Sequence, residues 1–434
     1  MTLSIPKRLL GSKSVMALGA QVCLLLTNFC VFIVLIREYN TTDFGEWALY
    51  ITVLLIIDSF RQGIVQNGLI RLLVQNPAER SQINASATLI NYGFIAVITL
   101  IIWVLSPWVE KAGLALLTQH GYKGLLALGT LHFINSLSIG RAQFTDYLVQ
   151  AIIYLLTSLS GLALLWYGSE LSFVNVINLQ LLAVIPSMLY HLLRARPRLS
   201  LPSRSHTREL LGFGKYVAGT NLLSMLFHKS DVLMLSFFTD PTTVAIFHFA
   251  TKIVGYSEIP FNAMSQVIYP ELAASYRSSG VSGLKQAYIR AVIRLFTLGI
   301  PVIVGVMIFR DQIIYTLSTD SYQQASQVIM ILCLGVIIKP IGRVFGLTLD
   351  AMGMPKINFQ MLAFSFVVNL TMNWVLIPLW GLNGAAIATS LSIVLTIAIG
   401  QIRLRKWLPI HWADLKTGWQ ESVPNTLIDK MKLI

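Results

Sequence analysis

Charge is what this sequence has least of. Only 12% of its 434 residues are Asp, Glu, Lys or Arg, about half the share found in an ordinary soluble domain. Acidic groups are the scarcer kind, 19 against 32 basic ones, for a net charge of +13. Cysteine is nearly absent. Cys23, Cys30 and Cys333 lie in apolar runs without metal-ligand spacing, so they read as small hydrophobes and no metal site is expected. No G-x-x-x-x-G-K-[ST] run is present, which excludes nucleotide hydrolysis on a phosphate loop. An H-x-x-x-H pair, a Ser/His/Asp set and an acidic loop cluster are missing too, so neither enzymatic chemistry nor a cofactor is expected. A basic excess can mark a nucleic-acid partner. Here the placement of the basic residues argues for membrane topology instead, and no nucleic acid is expected.

Apolar residues fill the space that charge leaves. They make up 55% of the chain, with a mean hydropathy of +0.69, the composition of an integral membrane protein. A bilayer-spanning helix needs about 20 mainly apolar residues. Twelve such runs occur, at 14–37, 45–66, 86–106, 124–143, 147–167, 172–193, 216–238, 243–267, 287–309, 325–348, 358–379 and 382–404. Turn signals divide them, among them Asn40-Thr41-Thr42, Gly168-Ser169-Glu170, Asp240-Pro241 and Gly381-Leu382-Asn383. The first run follows Lys7, Arg8 and Lys13 as a signal peptide would. It is too long for a signal h-region and no small-residue cleavage site follows, so it reads as a first span.

Lys and Arg set the orientation. With the N-terminus in the cytoplasm, Lys7, Arg8, Lys13, Arg71, Arg80, the cluster from Arg194 to Arg208, Lys215, Arg277, Lys285, Arg290, Arg294, Lys356, Arg403, Arg405 and Lys406 all fall on or beside the cytoplasmic side. The other side keeps Arg37, Lys111, Lys123 and Arg310. Both termini are therefore expected in the cytoplasm. An internal duplication with an offset near 200 residues divides the spans into two sets of six. Ile139-Gly140-Arg141 recurs as Ile341-Gly342-Arg343, and the segment opening the second span at Phe44-Gly45 has a counterpart opening the eighth at Val244-Ala245. The expected organisation is an N-terminal six-helix lobe over 1–194, a cytoplasmic linker over 195–215, a C-terminal six-helix lobe over 216–406 and a cytoplasmic tail over 407–434. Trp407, Trp412 and Trp419 would place the tail at the interface.

Ionisable side chains inside spans carry the functional signal, because a charge at mid-bilayer costs about 2.5–3.5 kcal/mol or more and is otherwise avoided. Lys229 and Lys252 lie roughly 10–15 Å below the outer surface at 1.5 Å per residue. Lys339 and Arg343 are four apart, on one face of the tenth span, with Arg141 at the matching level of the first half. Asp231 is expected level with Lys252 if spans seven and eight fold as a hairpin, and Asp58 is three residues from Arg61. Glu258 has no partner evident from the sequence, which marks it as a titratable, coupling-type group alongside Asp231 and Asp58. His132, His191, His228 and His248 read as packing histidines. The surplus of Lys229, Lys252, Lys339, Arg343 and Arg141 suits an anionic substrate such as a phosphate.

These residues resemble a known family. Ala250-Thr251-Lys252-Ile253, Ile259-Pro260, Tyr269-Pro270-Glu271-Leu272-Ala273, Phe44-Gly45, Asp231, and Leu349-Asp350-Ala351-Met352-Gly353 followed by Asn369, Asn373, Pro378 and Gly384-Ala385-Ala386 are similar to the polysaccharide transporter branch of the multidrug/oligosaccharidyl-lipid/polysaccharide exporter superfamily, and within it to the Wzx-type O-antigen flippases. The resemblance implies an all-α integral membrane fold, twelve transmembrane helices in two six-helix lobes around a central cavity, as in the MATE exporters. It implies alternating-access transfer of undecaprenyl-diphosphate-linked oligosaccharide repeat units from the cytoplasmic to the periplasmic leaflet of a bacterial inner membrane, for O-antigen and lipopolysaccharide synthesis. The diphosphate would meet Lys339, Arg343, Arg141, Lys229 and Lys252. Membrane lipid, a polysaccharide polymerase and chain-length proteins are the partners implied. The alternative is a cation-coupled small-molecule (multidrug) antiporter of the same superfamily, which predicts a cavity richer in acids than in bases. A major-facilitator permease lacks its G-x-x-x-D-x-x-G-[RK] loop here, and a polymerase lacks its large external loop.

Overall fold

In hydrocarbon every backbone N–H and C=O must be satisfied within its own segment, so apolar runs of this length become helices. In the computed structural model, which describes residues 13–111, 114–195 and 200–409, every regular element is helical. Lys7, Arg8, Arg196, Arg198, Trp412 and Trp419 lie outside the described residues, as does most of the tail.

The chain divides into two compact units, Met1–Leu226 and Phe227–Ile434. The first holds α1 (Lys13–Glu38), α2 (Thr41–Gln75), α3 (Arg80–Val104), the short α4 (Ser106–Lys111), α5 (Ala115–Gly140), α6 (Phe144–Tyr167) and α7 (Phe173–Ala195). The division falls inside α8 (Arg204–Phe238), a helix of 35 residues. The second unit continues with α9 (Pro241–Ser257), α10 (Ile259–Ile308), α11 (Arg310–Leu317), α12 (Ala325–Val336), α13 (Lys339–Ala351) and α14 (Pro355–Leu404).

In the first unit α5 is central, packed on α2, α3 and α7, while α1 lies along α6. Leu69, Leu72 and Leu73 of α2 meet Ile83 and Ala87 of α3, Phe133 and Leu137 of α5 and Leu210 of α8 in one buried cluster. Small residues let α2 and α8 touch backbone to backbone. A Cβ on Gly63 would stand 2.3 Å from the Ala218 Cα, and one on Gly214 would stand 2.3 Å from the Ile64 carbonyl oxygen. In the second unit α10 packs on α13, and α14 covers α12 and α13. Large apolar side chains such as Trp103, Leu164 and Phe237 remain exposed, as on a surface wetted by lipid.

Seven helices are long and apolar enough to cross a membrane among the described residues, or eight if the bent pair α12–α13 counts as one. Two of them are double. An unbroken helix of 50 residues, the length of α10 and of α14, would run about 75 Å, more than twice the thickness of a bilayer core. Each turns back at a glycine instead: Gly280 (φ 59°, ψ −143°) in α10 and Gly381 (φ 52°, ψ −126°) in α14. Only glycine adopts that backbone region readily. Counting both doubled helices twice and the bent pair once gives ten spans; the expected spans over 124–143 and 216–238 lie on α5 and α8, which are helical but outside this set, and two others differ in form. The eighth, expected as one helix over 243–267, is broken at Glu258 between α9 and α10. The tenth, expected over 325–348, bends by 43° between α12 and α13. Pro260 and Pro340 follow the two breaks, since proline disfavours helical geometry in the residue before it.

Two helix starts 200 positions apart are capped alike. Asn40 caps α2 by accepting from the Asp43 N–H at 2.8 Å. Asp240 caps α9 by accepting from the Thr243 N–H at 3.0 Å, with Pro241 in the first turn.

Candidate functional site

A cavity of about 460 Å³ opens within the second unit, among α8, the α9–α10 break, α13 and α14. Its lining includes the polar side chains His228, Glu258, Lys339, Arg343 and Asn358 and the apolar Phe227, Phe345, Met361 and Leu362. Lys339 and Arg343 come from one face of α13, as their spacing requires. Lys339 Nζ donates to Glu258 Oε1 at 2.6 Å, and Arg343 Nη2 lies 4.0 Å from Glu258 Oε2. Arg343 Nη1 also donates to Asn262 Oδ1 and, at 3.4 Å, to Ser265 Oγ. Glu258 therefore has a partner that the sequence did not reveal, and the expectation that it stands alone is corrected. Two broken helices bring residues 81 positions apart into contact.

Two cations against one carboxylate leave the cluster with a surplus positive charge. Lys339 also opens α13, where the helix dipole adds positive potential. Lys339, Arg343 and Glu258 side chains are 26%, 27% and 17% exposed, so the cluster is reachable rather than sealed. Such a wall can hold phosphate oxygens, Arg by a two-pronged contact and Lys as a point charge. The apolar side chains of the same lining suit hydrocarbon.

Asp231 belongs to a different cluster of the same unit. It accepts from Asn369 Nδ2 at 3.0 Å, Asn373 Nδ2 at 2.5 Å and Thr389 Oγ1 at 2.8 Å. Ser230 donates to Asn369 Oδ1 at 2.7 Å. Asn373 Oδ1 is buried without a hydrogen-bond partner. Two amide N–H donors and a hydroxyl thus satisfy one buried carboxylate. The signal was in the sequence as Asn369 and Asn373 four apart, one face of a helix. Among the described residues no group of three His, Cys, Asp or Glu converges as a metal site. Lys229 and Lys252 are half-buried on α8 and α9, outside the lining of the 460 Å³ cavity.

The first unit holds Asp58 and Arg141. Asp58 and Arg61 are paired at 2.6 Å, as their spacing predicts, and both are buried. His132 Nδ1 stands 2.8 Å from Asp58 Oδ2, Gln62 donates to that oxygen at 2.7 Å, and Arg61 reaches Asn91. His132 is thus the hydrogen-bonded neighbour of an acid and not a simple packing residue; its place 74 positions away hid that. Likewise His191 is held by Gln150 Nε2 at 2.9 Å. Arg141 is half-buried at the C-cap of α5.

Residues 34–327 match the family model described as "Polysaccharide biosynthesis protein". The chain belongs to the polysaccharide biosynthesis protein family. Curated relatives of this family member include the "Probable flippase AglR" of Haloferax volcanii, 23% identical over 400 residues, 89% of this chain and 81% of the relative. Another is the "Probable low-salt glycan biosynthesis flippase Agl15" of the same organism, 23% identical over 239 residues. That match takes in 55% of this chain and only 51% of Agl15, about half its length. Among solved structures, an inward-facing multidrug resistance MATE transporter of the MOP superfamily superposes with a TM-score of 0.74, at 14% identity over 90% of this chain and 94% of the other. The lipid II flippase MurJ, in an inward closed conformation, gives 0.68 at 13% identity, over 94% of this chain and 90% of the other. The family member thus has the MOP-superfamily fold, the expected all-α membrane architecture.

Proposed function

We propose that this family member is a flippase for lipid-linked oligosaccharides, with Lys339 and Arg343 as the ligands of the lipid phosphate. The observation that carries the reading is the pair of cations, Lys339 and Arg343, set together in the lining of a cavity otherwise rich in apolar side chains. Its AglR and Agl15 relatives, both named as flippases, support it. The substrate is an undecaprenyl-diphosphate-linked repeat unit, moved from the cytoplasmic to the periplasmic leaflet of a bacterial inner membrane by alternating access, for O-antigen and lipopolysaccharide assembly. Lys229 and Lys252 supply further positive charge within their helices, and Arg141 does so at the end of α5. Asp231 and Glu258 are the groups through which a coupling ion or proton acts; Asp58, expected to share that role, is buried against Arg61 and His132. Both termini face the cytoplasm, residues 195–215 link the lobes, and a polymerase and chain-length proteins receive the product.

Flipping of a fluorescent lipid-diphosphate sugar in proteoliposomes tests this. Lys339→Ala/Arg343→Ala is expected to lower the rate at least tenfold, the effect of losing charge-assisted contacts worth about 1.5–3 kcal/mol each. An unchanged rate would remove the site. Efflux of cationic dyes, with no flipping, would favour the multidrug antiporter instead, a reading that the MATE-like fold keeps in play.

A further inference from the structure

Glu258 and Lys339 each stand at an interruption of their own span. Glu258 is both the C-cap of α9 and the N-cap of α10. Lys339 is the first residue of α13, directly after Ile337 and Ile338, where the chain bends by 43° from α12. One carboxylate therefore ties two broken spans together, at 2.6 Å from Lys339 and 4.0 Å from Arg343. It also occupies the position that an anionic ligand of those two cations would need.

We infer that Glu258 is an internal stand-in for the substrate's phosphate. The incoming phosphate displaces its carboxylate from Lys339 and Arg343, and the displacement uncouples the two breaks so that the half-helices on either side can reorient. This rests on the reading of Lys339 and Arg343 as phosphate ligands, and adds how their occupancy is transmitted.

Three observations carry it. The pair is partly exposed, and ion pairs of that kind are weak enough to exchange for a ligand. Arg343 is held independently by Asn262 and Ser265 of α10, so its guanidinium keeps its place when Glu258 leaves. The charges also match. With Glu258 in place the cluster has a single surplus positive charge; with Glu258 withdrawn, Lys339 and Arg343 present two. A diphosphate diester carries two negative charges and a single phosphodiester one, so displacement selects the diphosphate. A ligand can shift a conformational equilibrium only by binding one state better than the other. Here the difference is the broken Glu258 contact.

Inorganic pyrophosphate binding to the purified full-length protein is the test, measured by calorimetry. Glu258→Gln is expected to tighten binding by about 3- to 10-fold, the scale of removing one competing charge at a partly exposed site. The gain should vanish when Lys339→Ala/Arg343→Ala is added. Spin labels at Val267 of α10 and Met330 of α12, both exposed, report the second effect in a background with the three cysteines replaced. Pyrophosphate should shift their distance distribution in the otherwise wild-type protein, and Glu258→Gln should show that shift without ligand. Unchanged or weaker binding by a folded Glu258→Gln variant overturns the inference, and so does a gain that survives loss of both cations. Should the variant fail to fold, the wild-type distances decide: no shift with pyrophosphate overturns it. Flipping that depends on Lys339 and Arg343 but passes none of these tests would leave the phosphate site standing and remove the displacement alone.

Discussion

Asp58 and Glu258 hold equivalent places in the two halves of the chain and spend their charge differently. The 200 positions between them also separate Asn40 from Asp240, the side chains that cap α2 and α9. Each acid meets a base from a later helix of its unit: His132 on α5 at 2.8 Å, Lys339 on α13 at 2.6 Å. Asp58 is 1% exposed and Glu258 17%. Asp58 is an internal brace, and Glu258 forms part of a cavity lining.

Asp58→Asn is expected to destabilise the protein severely. The substitution leaves Arg61, itself buried, facing no carboxylate, and breaking a buried pair from one side costs about 3–5 kcal/mol. Thermal unfolding in detergent should show a drop of many degrees; a melting temperature within a degree or two of wild type would contradict the bracing role.

Lys339→Ala should behave in the opposite way. Its pair with Glu258 is partly exposed, so its loss should cost no more than about 1 kcal/mol. Flipping should nonetheless fall sharply in proteoliposomes reconstituted with equal amounts of folded protein. A large stability loss with proportionate activity loss would mark Lys339 as structural.

The α9 cap gives a pH dependence. The Thr243 N–H bonded to Asp240 holds this carboxyl below the usual carboxylate range. A folded-state value below the unfolded one contributes stability above the ordinary carboxylate range, near pH 4, that is lost as pH falls through the folded value. Asp240→Asn keeps the cap and should flatten that acid limb of the stability curve. Asp240→Ala should cost about 1 kcal/mol at neutral pH.

Gly381→Ala is expected to cost about 1–3 kcal/mol, because φ 52° with ψ −126° is a region that residues with a Cβ avoid. Gly280→Ala should do the same at φ 59° and ψ −143°. Gly255, in α9 with open space around its Cβ position, is the control; Gly255→Ala should leave the melting temperature unchanged or raise it.

Apolar periodicity and punctuation made most of the fold legible. Asp240-Pro241 marks the turn from which α9 starts. The Arg61–Asp58 and Lys339–Arg343 relations follow from helical spacing alone, since residues three or four apart share a face. Hydropathy could not place the two interruptions, because a broken span and a straight one bury the same apolar residues.

What the sequence determined by itself was the solvent this chain folds in, the helical character of its spans and the excess of base over acid within its apolar runs. Each rests on local composition and spacing. Tertiary structure decided which charges answer one another. Glu258 finds Lys339 only because two bent spans converge, His132 finds Asp58 across 74 positions, and Asp231 is claimed by amides and a hydroxyl from α14. Such pairings depend on distances of a few ångströms between distant segments, and Coulomb attraction carries no mark of its partner along the chain.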